Sequence, residues 1–234
     1  MEGVSQEVHK QYFHDIAVNA KGITKSLTSS FDRRQVQNRL AALLAETHPL
    51  LVGRVDVEKD TVRGASENWI SGKNLIDVVV TTCFGMGKTL TAKRRAILDA
   101  DAANAVTTAF LDAISSQFTA LSSLAADNTT PEDVRQRSLL GSPTIIRGLA
   151  GAYSEIAVDK SAEGRPHITA AGDSRMRDLF CSLDNEMGLP ISETWWKTGL
   201  FEAPDSKAPG SRSQNLRQLS EVLVRWARTG VPTS

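Results

Sequence analysis

The sequence predicts a mainly α-helical fold: an orthogonal array of about seven or eight helices with at most a short strand or hairpin. Three observations point there. Apolar residues recur at helical spacing in most segments, as in Leu216, Leu219, Leu223 and Trp226. Helix-start chemistry recurs too, most clearly in Thr130-Pro131-Glu132-Asp133, a cap residue with Pro at the first helical position and acids in the first turn. Alternating or β-branched runs are short and few.

In chain order, Ser5, Val8, Tyr12 and Phe13 form a short stripe that predicts an opening helix, ended by Gly22. Asp32-Arg33-Arg34-Gln35 reads as a capping-box variant. Val36, Leu40, Leu43 and Leu44 follow at i, i+4, i+7 and i+8, and His48-Pro49 stops that helix. Val55 and Val57 alternate with charged residues, which suits a short strand or extended loop. From Trp69, the positions Ile76, Val79, Val80, Cys83 and Leu90 return to helical spacing, although β-branched Val78–Thr82 leaves a strand open there. Residues 101–124 read as one long helix, with Val106, Phe110, Ala113, Ile114, Leu121 and Leu124 on one face.

Ser142-Pro143 repeats the helix-start device before Ile146, Leu149, Tyr153 and Ile156. Residues 158–172, with Gly164, Pro166 and Gly172, are expected as loop. Met176, Leu179, Phe180 and Leu183 mark another helix, closed by Gly188 and Pro190. Residues 202–213 are linker-like, and Leu216–Trp226 gives a final helix that stops at Gly230. The expected organisation is a segment 1–95, a helical region 96–201 packed on it, and a linker with a C-terminal helix over 202–234.

Composition narrows the function. Hydrophobic residues make up 41% of the chain, enough for a core, and charged residues 23%. The 27 Lys and Arg balance the 27 Asp and Glu, so no global field steers the chain to nucleic acid, and any such contact must be a local patch. No segment approaches about 18 consecutive apolar residues, and Met1–Glu7 lacks the basic and apolar regions of a signal peptide, so no membrane partner and a cytoplasmic location are expected. Cys83 and Cys181 sit in apolar helical patterns and are expected as buried free thiols. No spacing of the four His suggests a metal site, and no catalytic set stands out, so neither metal, cofactor nor catalytic residue is expected.

Several motifs carry possible chemistry. Thr82–Thr89 ends like a phosphate-binding loop, but Thr82 stands where that loop needs Gly, so a helix broken near Gly85 with a solvated Lys88 is expected instead. Lys93-Arg94-Arg95 is a local cation cluster able to hold phosphate oxygens, with a solvated helix face as the alternative. Arg33 and Arg34 are a weaker case, as are Arg212, Arg217, Arg225 and Arg228. Trp195-Trp196 could stack on bases, though a helix end pinned by one buried indole is the commoner arrangement.

The block from Val4 to Leu27 resembles the segment that follows the Asp-Gly-Gln-His-Arg signature in the DGQHR-domain family, the DndB-like proteins of DNA phosphorothioation and related modification. Phe13, Asp15, Ile16, Lys21, Ser26 and Leu27 match its pattern, with Lys25 in the same basic stretch. Ala17 takes the place of the family's Asn, and Asn19 lies two residues on. Glu58–Thr61 and the Trp69 segment are similar as well, so the resemblance covers roughly residues 4–90. The signature itself is absent from this sequence. The resemblance therefore implies the C-terminal portion of such a protein, with any nucleotide chemistry residing in a separately encoded half.

The expected function is a non-catalytic, DNA-associated protein of DNA modification or its transcriptional regulation, with DNA and the separately encoded half as partners. Lys93, Arg94, Arg95, Arg33 and Arg34 are its candidate DNA contacts. Two rivals stand: a fragment of a ParB-like nucleotide-hydrolysing enzyme, and a helical interaction module that uses the Leu216–Trp226 stripe.

Overall fold

The computed structural model describes residues 35–86, 98–162, 165–210 and 213–232. Among them the chain is mainly α-helical, as predicted. The helices are α1 (Val36–Thr47), α2 (Gly72–Phe84), α3 (Ala100–Gln117), α4 (Thr119–Ala125), α5 (Pro131–Arg137), α6 (Pro143–Ile156), α7 (Ala170–Leu183), α8 (Glu193–Trp196) and α9 (Ser213–Thr229). Two small sheets accompany them. β1 (Val55–Asp56) pairs in parallel with β2 (Ile70–Ser71), and β3 (Val158–Asp159) pairs antiparallel with β4 (His167–Ile168).

α6 is the centre of the packing. It contacts α2 on one side and α9 on another, while α1 lies on α2. Nine of the fourteen residues of α6 are buried, among them Ile145, Ile146, Leu149, Ala150, Ala152 and Tyr153. One hydrophobic cluster runs through the whole described chain, from Leu40 to Trp226. Its aromatic centre is Phe110, Tyr153 and Phe180, with Phe118 set against Phe180 at 5.4 Å between ring centroids.

Local chemistry explains several element ends. The Thr130 hydroxyl accepts from the Asp133 N–H at 3.1 Å while Asp133 reaches back to Thr130, a complete capping box before Pro131. Ser71 caps α2, its hydroxyl accepting from the Asn74 N–H. Asp99 does the same for α3 through the Ala102 N–H.

Some expectations are corrected. Trp69 precedes α2 rather than opening it: its backbone N–H reaches the Arg54 carbonyl at 2.7 Å and its indole donates to the Leu140 carbonyl at 3.1 Å. The long helix is two, broken at Phe118, whose extended backbone turns the chain between α3 and α4. The expected loop at 158–172 contains the β3–β4 hairpin and the first turn of α7. Ser142 makes no side-chain cap on α6, and Gln35 occupies the N-cap of α1, while Asp32 lies outside the described residues. Leu43 is exposed, and α1 buries Gln37, Asn38 and Ala41 beside Leu40 and Leu44 instead. Cys83 is buried as expected, but Cys181 is exposed, because it stands one step round α7 from buried Phe180. The 202–210 segment is packed by its turns, with the Ile191 N–H on the Pro204 carbonyl at 3.0 Å. The Leu216–Trp226 stripe is consumed inside the chain, since all four of its apolar residues are buried.

Candidate nucleic-acid interface

Several described arginines are spent on structure. Arg54 is buried and donates to the Pro49 carbonyl at 2.8 Å and to the Asp127 carboxylate. Arg135, also buried, holds the carbonyls of Gly64, Ser66 and Asn68 together. Arg147 pairs with Asp77, Arg165 with Asp99, and Arg177 with Asp173. Arg54 and Arg135, each held by several acceptors, have few donors left for a phosphate.

Helix α9 differs. Arg217, Arg225 and Arg228 are exposed, and none of them pairs with a described acid. They line one groove of about 520 Å³ between α6 and α9. At 1.5 Å per residue, the row from Arg217 to Arg228 runs about 16 Å along the helix axis. Inside the groove Met86, Gly151 and Ser220 meet: a Cβ on Gly151 would lie 2.8 Å from both Met86 Cε and Ser220 Oγ. Glu155 of α6 and Glu221 of α9 also line it, so the groove carries three cations against two anions.

α9 sits where it does because α6 presents glycines to it. A Cβ on Gly148 would stand 2.4 Å from Leu219 Cδ2, so only glycine lets the two helices approach this closely. The amphipathic pattern of α9 then sends Leu219, Leu223 and Trp226 into the core and leaves the arginines in water.

The other polar groups of the core read as structural. Tyr153 donates to Asp173 at 2.5 Å, and Arg177 Nε donates to the same carboxylate at 2.8 Å. Burial, and then the Asp173 carboxylate, pushes the Tyr153 phenol well above its usual range, so it stays a protonated donor. No cluster of metal-ligating side chains is present among the described residues. No helix of the described residues is long and apolar enough to cross a membrane.

The candidate positions from the sequence fall unevenly. Lys93, Arg94 and Arg95, Arg33 and Arg34, and the family-motif positions Phe13, Asp15, Asn19, Lys21, Lys25 and Ser26 all lie outside the described residues, as does Arg212. So does Lys88, but Thr82 is buried in α2 with its hydroxyl on the Val78 carbonyl, and the helix ends at Gly85. A phosphate-binding loop follows a strand, and here a helix stands in that place. Trp195 is fully buried against Trp226 and Phe201, which removes it as a base-stacking platform, while Trp196 is 46% exposed. The sequence offers the α9 arginines only as a weaker case, together with Arg212. Their spacing at i, i+8 and i+11 was the available signal, since it returns to one helical face.

A family model described as DndB, DNA-sulfur modification-associated, matches residues 2–170. The match extends well past residue 90, through α6 and the β3–β4 hairpin. No curated protein and no solved structure matches the chain.

Proposed function

This chain belongs to the DndB family, DNA-sulfur modification-associated, and we propose that within it the protein is a non-catalytic, DNA-associated component acting in the modification or in its transcriptional regulation. The family match over residues 2–170 is the observation that carries this reading. Local cations in a net-neutral chain support it, because contact with DNA then rests on patches rather than on overall charge.

Lys93, Arg94 and Arg95, together with Arg33 and Arg34, are the proposed contacts from the family portion. Phe13, Asp15, Asn19, Lys21, Lys25 and Ser26 are the proposed family-motif positions, and DNA and another DNA-modification protein are the proposed partners. The cytoplasm is the proposed location.

Binding of the full chain to duplex DNA across a salt series tests the reading. Affinity should be weak, largely independent of sequence and strongly salt-dependent. Each phosphate neutralised adds roughly −0.9 to the slope of log affinity against log salt, so replacing Lys93, Arg94 and Arg95 together by Ala should flatten it by roughly 3. Absence of duplex binding at low salt overturns the reading.

A further inference from the structure

α9 spans Ser213–Thr229 and lies wholly beyond residue 170, where the family match ends. The groove between α6 and α9 therefore joins a family element to one the match does not reach. We infer that Arg217, Arg225 and Arg228 make this groove a second contact surface for duplex DNA, with the phosphates of one strand lying along the arginine row. The inference rests on the DNA-associated reading above and assigns that reading a place on the fold.

Charge and spacing argue for this occupant. The three guanidiniums are exposed, line one groove and pair with no described acid, so they meet a phosphate without first breaking an ion pair. A guanidinium fork matches a phosphate in a way an ammonium does not. The row of about 16 Å covers the axial rise of roughly five base pairs at 3.4 Å each, so its two ends reach different phosphates of the same strand. Glu155 and Glu221 line the same groove and oppose any phosphate there. They make the contact weak and salt-sensitive, in keeping with a chain whose charges balance.

α9 is held by its buried stripe of Leu216, Leu219, Leu223 and Trp226, so replacing the exposed arginines leaves its packing in place. The test is fluorescence anisotropy of the full chain with a labelled duplex over a salt series. Arg217→Ala, Arg225→Ala and Arg228→Ala together should flatten the salt slope by roughly 3, separately from the loss caused by the Lys93–Arg95 variant. The triple Lys variant should keep the slope, because the cations remain. Glu155→Gln with Glu221→Gln should tighten binding and keep the slope, a result that does not depend on the Ala variant folding. If wild type binds duplex but the Ala variant keeps both affinity and slope, the groove assignment is overturned while the DNA-associated reading stands. If Glu155→Gln with Glu221→Gln changes nothing, the groove assignment is equally overturned. If wild type binds no duplex at low salt, both fall.

Discussion

Gly148 of α6 lies directly against Leu219 of α9, so close that a Cβ on the glycine would stand 2.4 Å from Leu219 Cδ2 and 2.7 Å from Cγ. Leu219 is fully buried. Gly148→Ala gains about 1 kcal/mol of helix propensity, but the overpacking costs about 1–3 kcal/mol. A net loss is expected, read as a lowered melting temperature and weakened packing of α9. A Cβ on Gly151 would meet Met86 Cε and Ser220 Oγ at 2.8 Å, atoms that side-chain rotation can move, and Met86 Cβ at 3.3 Å, so Gly151→Ala should cost less than Gly148→Ala. Equal effects of the two substitutions in thermal unfolding would contradict this account.

Arg135 should be a stability residue rather than a DNA contact. Its guanidinium gathers the carbonyls of Gly64, Ser66 and Asn68, fixing the chain that leads into β2. Hydrogen bonds from a charged group are worth about 1.5–3 kcal/mol. Arg135→Ala should therefore cost about 2–3 kcal/mol in urea unfolding and speed amide exchange in this loop. Arg135→Lys should recover little, since a point charge cannot reach three carbonyls as a fork does.

His48 should make stability depend on pH. Its Nδ1 accepts from the Leu50 N–H at 3.2 Å, so the ring proton sits on Nε2, toward Asp112 at 3.2 Å. Burial lowers its pKa from 6.5, and Asp112 offsets this only in part. A depressed folded pKa means that the unfolded chain binds the proton first as pH falls. Stability from neutral His48 is thus complete above pH 6.5 and is lost as pH drops through the range just below it. The slope can reach about 1.4 kcal/mol per pH unit. His48→Gln should flatten that part of the stability curve, and an unchanged curve would remove His48 from the explanation.

The two cysteines should react very differently. Burial pushes the Cys83 thiol up to about 12, and the thiolate is the reactive form. Cys181 is exposed on α7. A thiol reagent should modify Cys181 quickly in the folded chain and Cys83 only after denaturation. Cys181→Ser should leave the native protein almost unreactive.

Local chemistry is legible in the order of the residues alone. The capping box at Thr130 and the stripes Met176–Leu183 and Leu216–Trp226 each follow from residues a few positions apart, because a helix is closed by its own neighbours. What the sequence leaves open depends on partners far along the chain. The break at Phe118 is capped by Asp184, which accepts from the Thr119 N–H at 2.8 Å and from its hydroxyl at 2.6 Å across 65 positions. Trp69 and Ile70 leave helical geometry because the backbone at Arg54 and Val55 is there to pair with them. Gly172 reads as a loop marker in sequence, yet it serves close packing, since a Cβ there would strike the Ile156 carbonyl at 2.3 Å. The arginine groove is the same kind of case. The sequence places Arg217, Arg225 and Arg228 on one helical face, and only the packing of α9 onto the glycines of α6 sets that face beside Met86 and Glu155. Periodicity fixes which side of a helix is polar, whereas the neighbour that side shares a groove with is decided by contacts that no local pattern encodes.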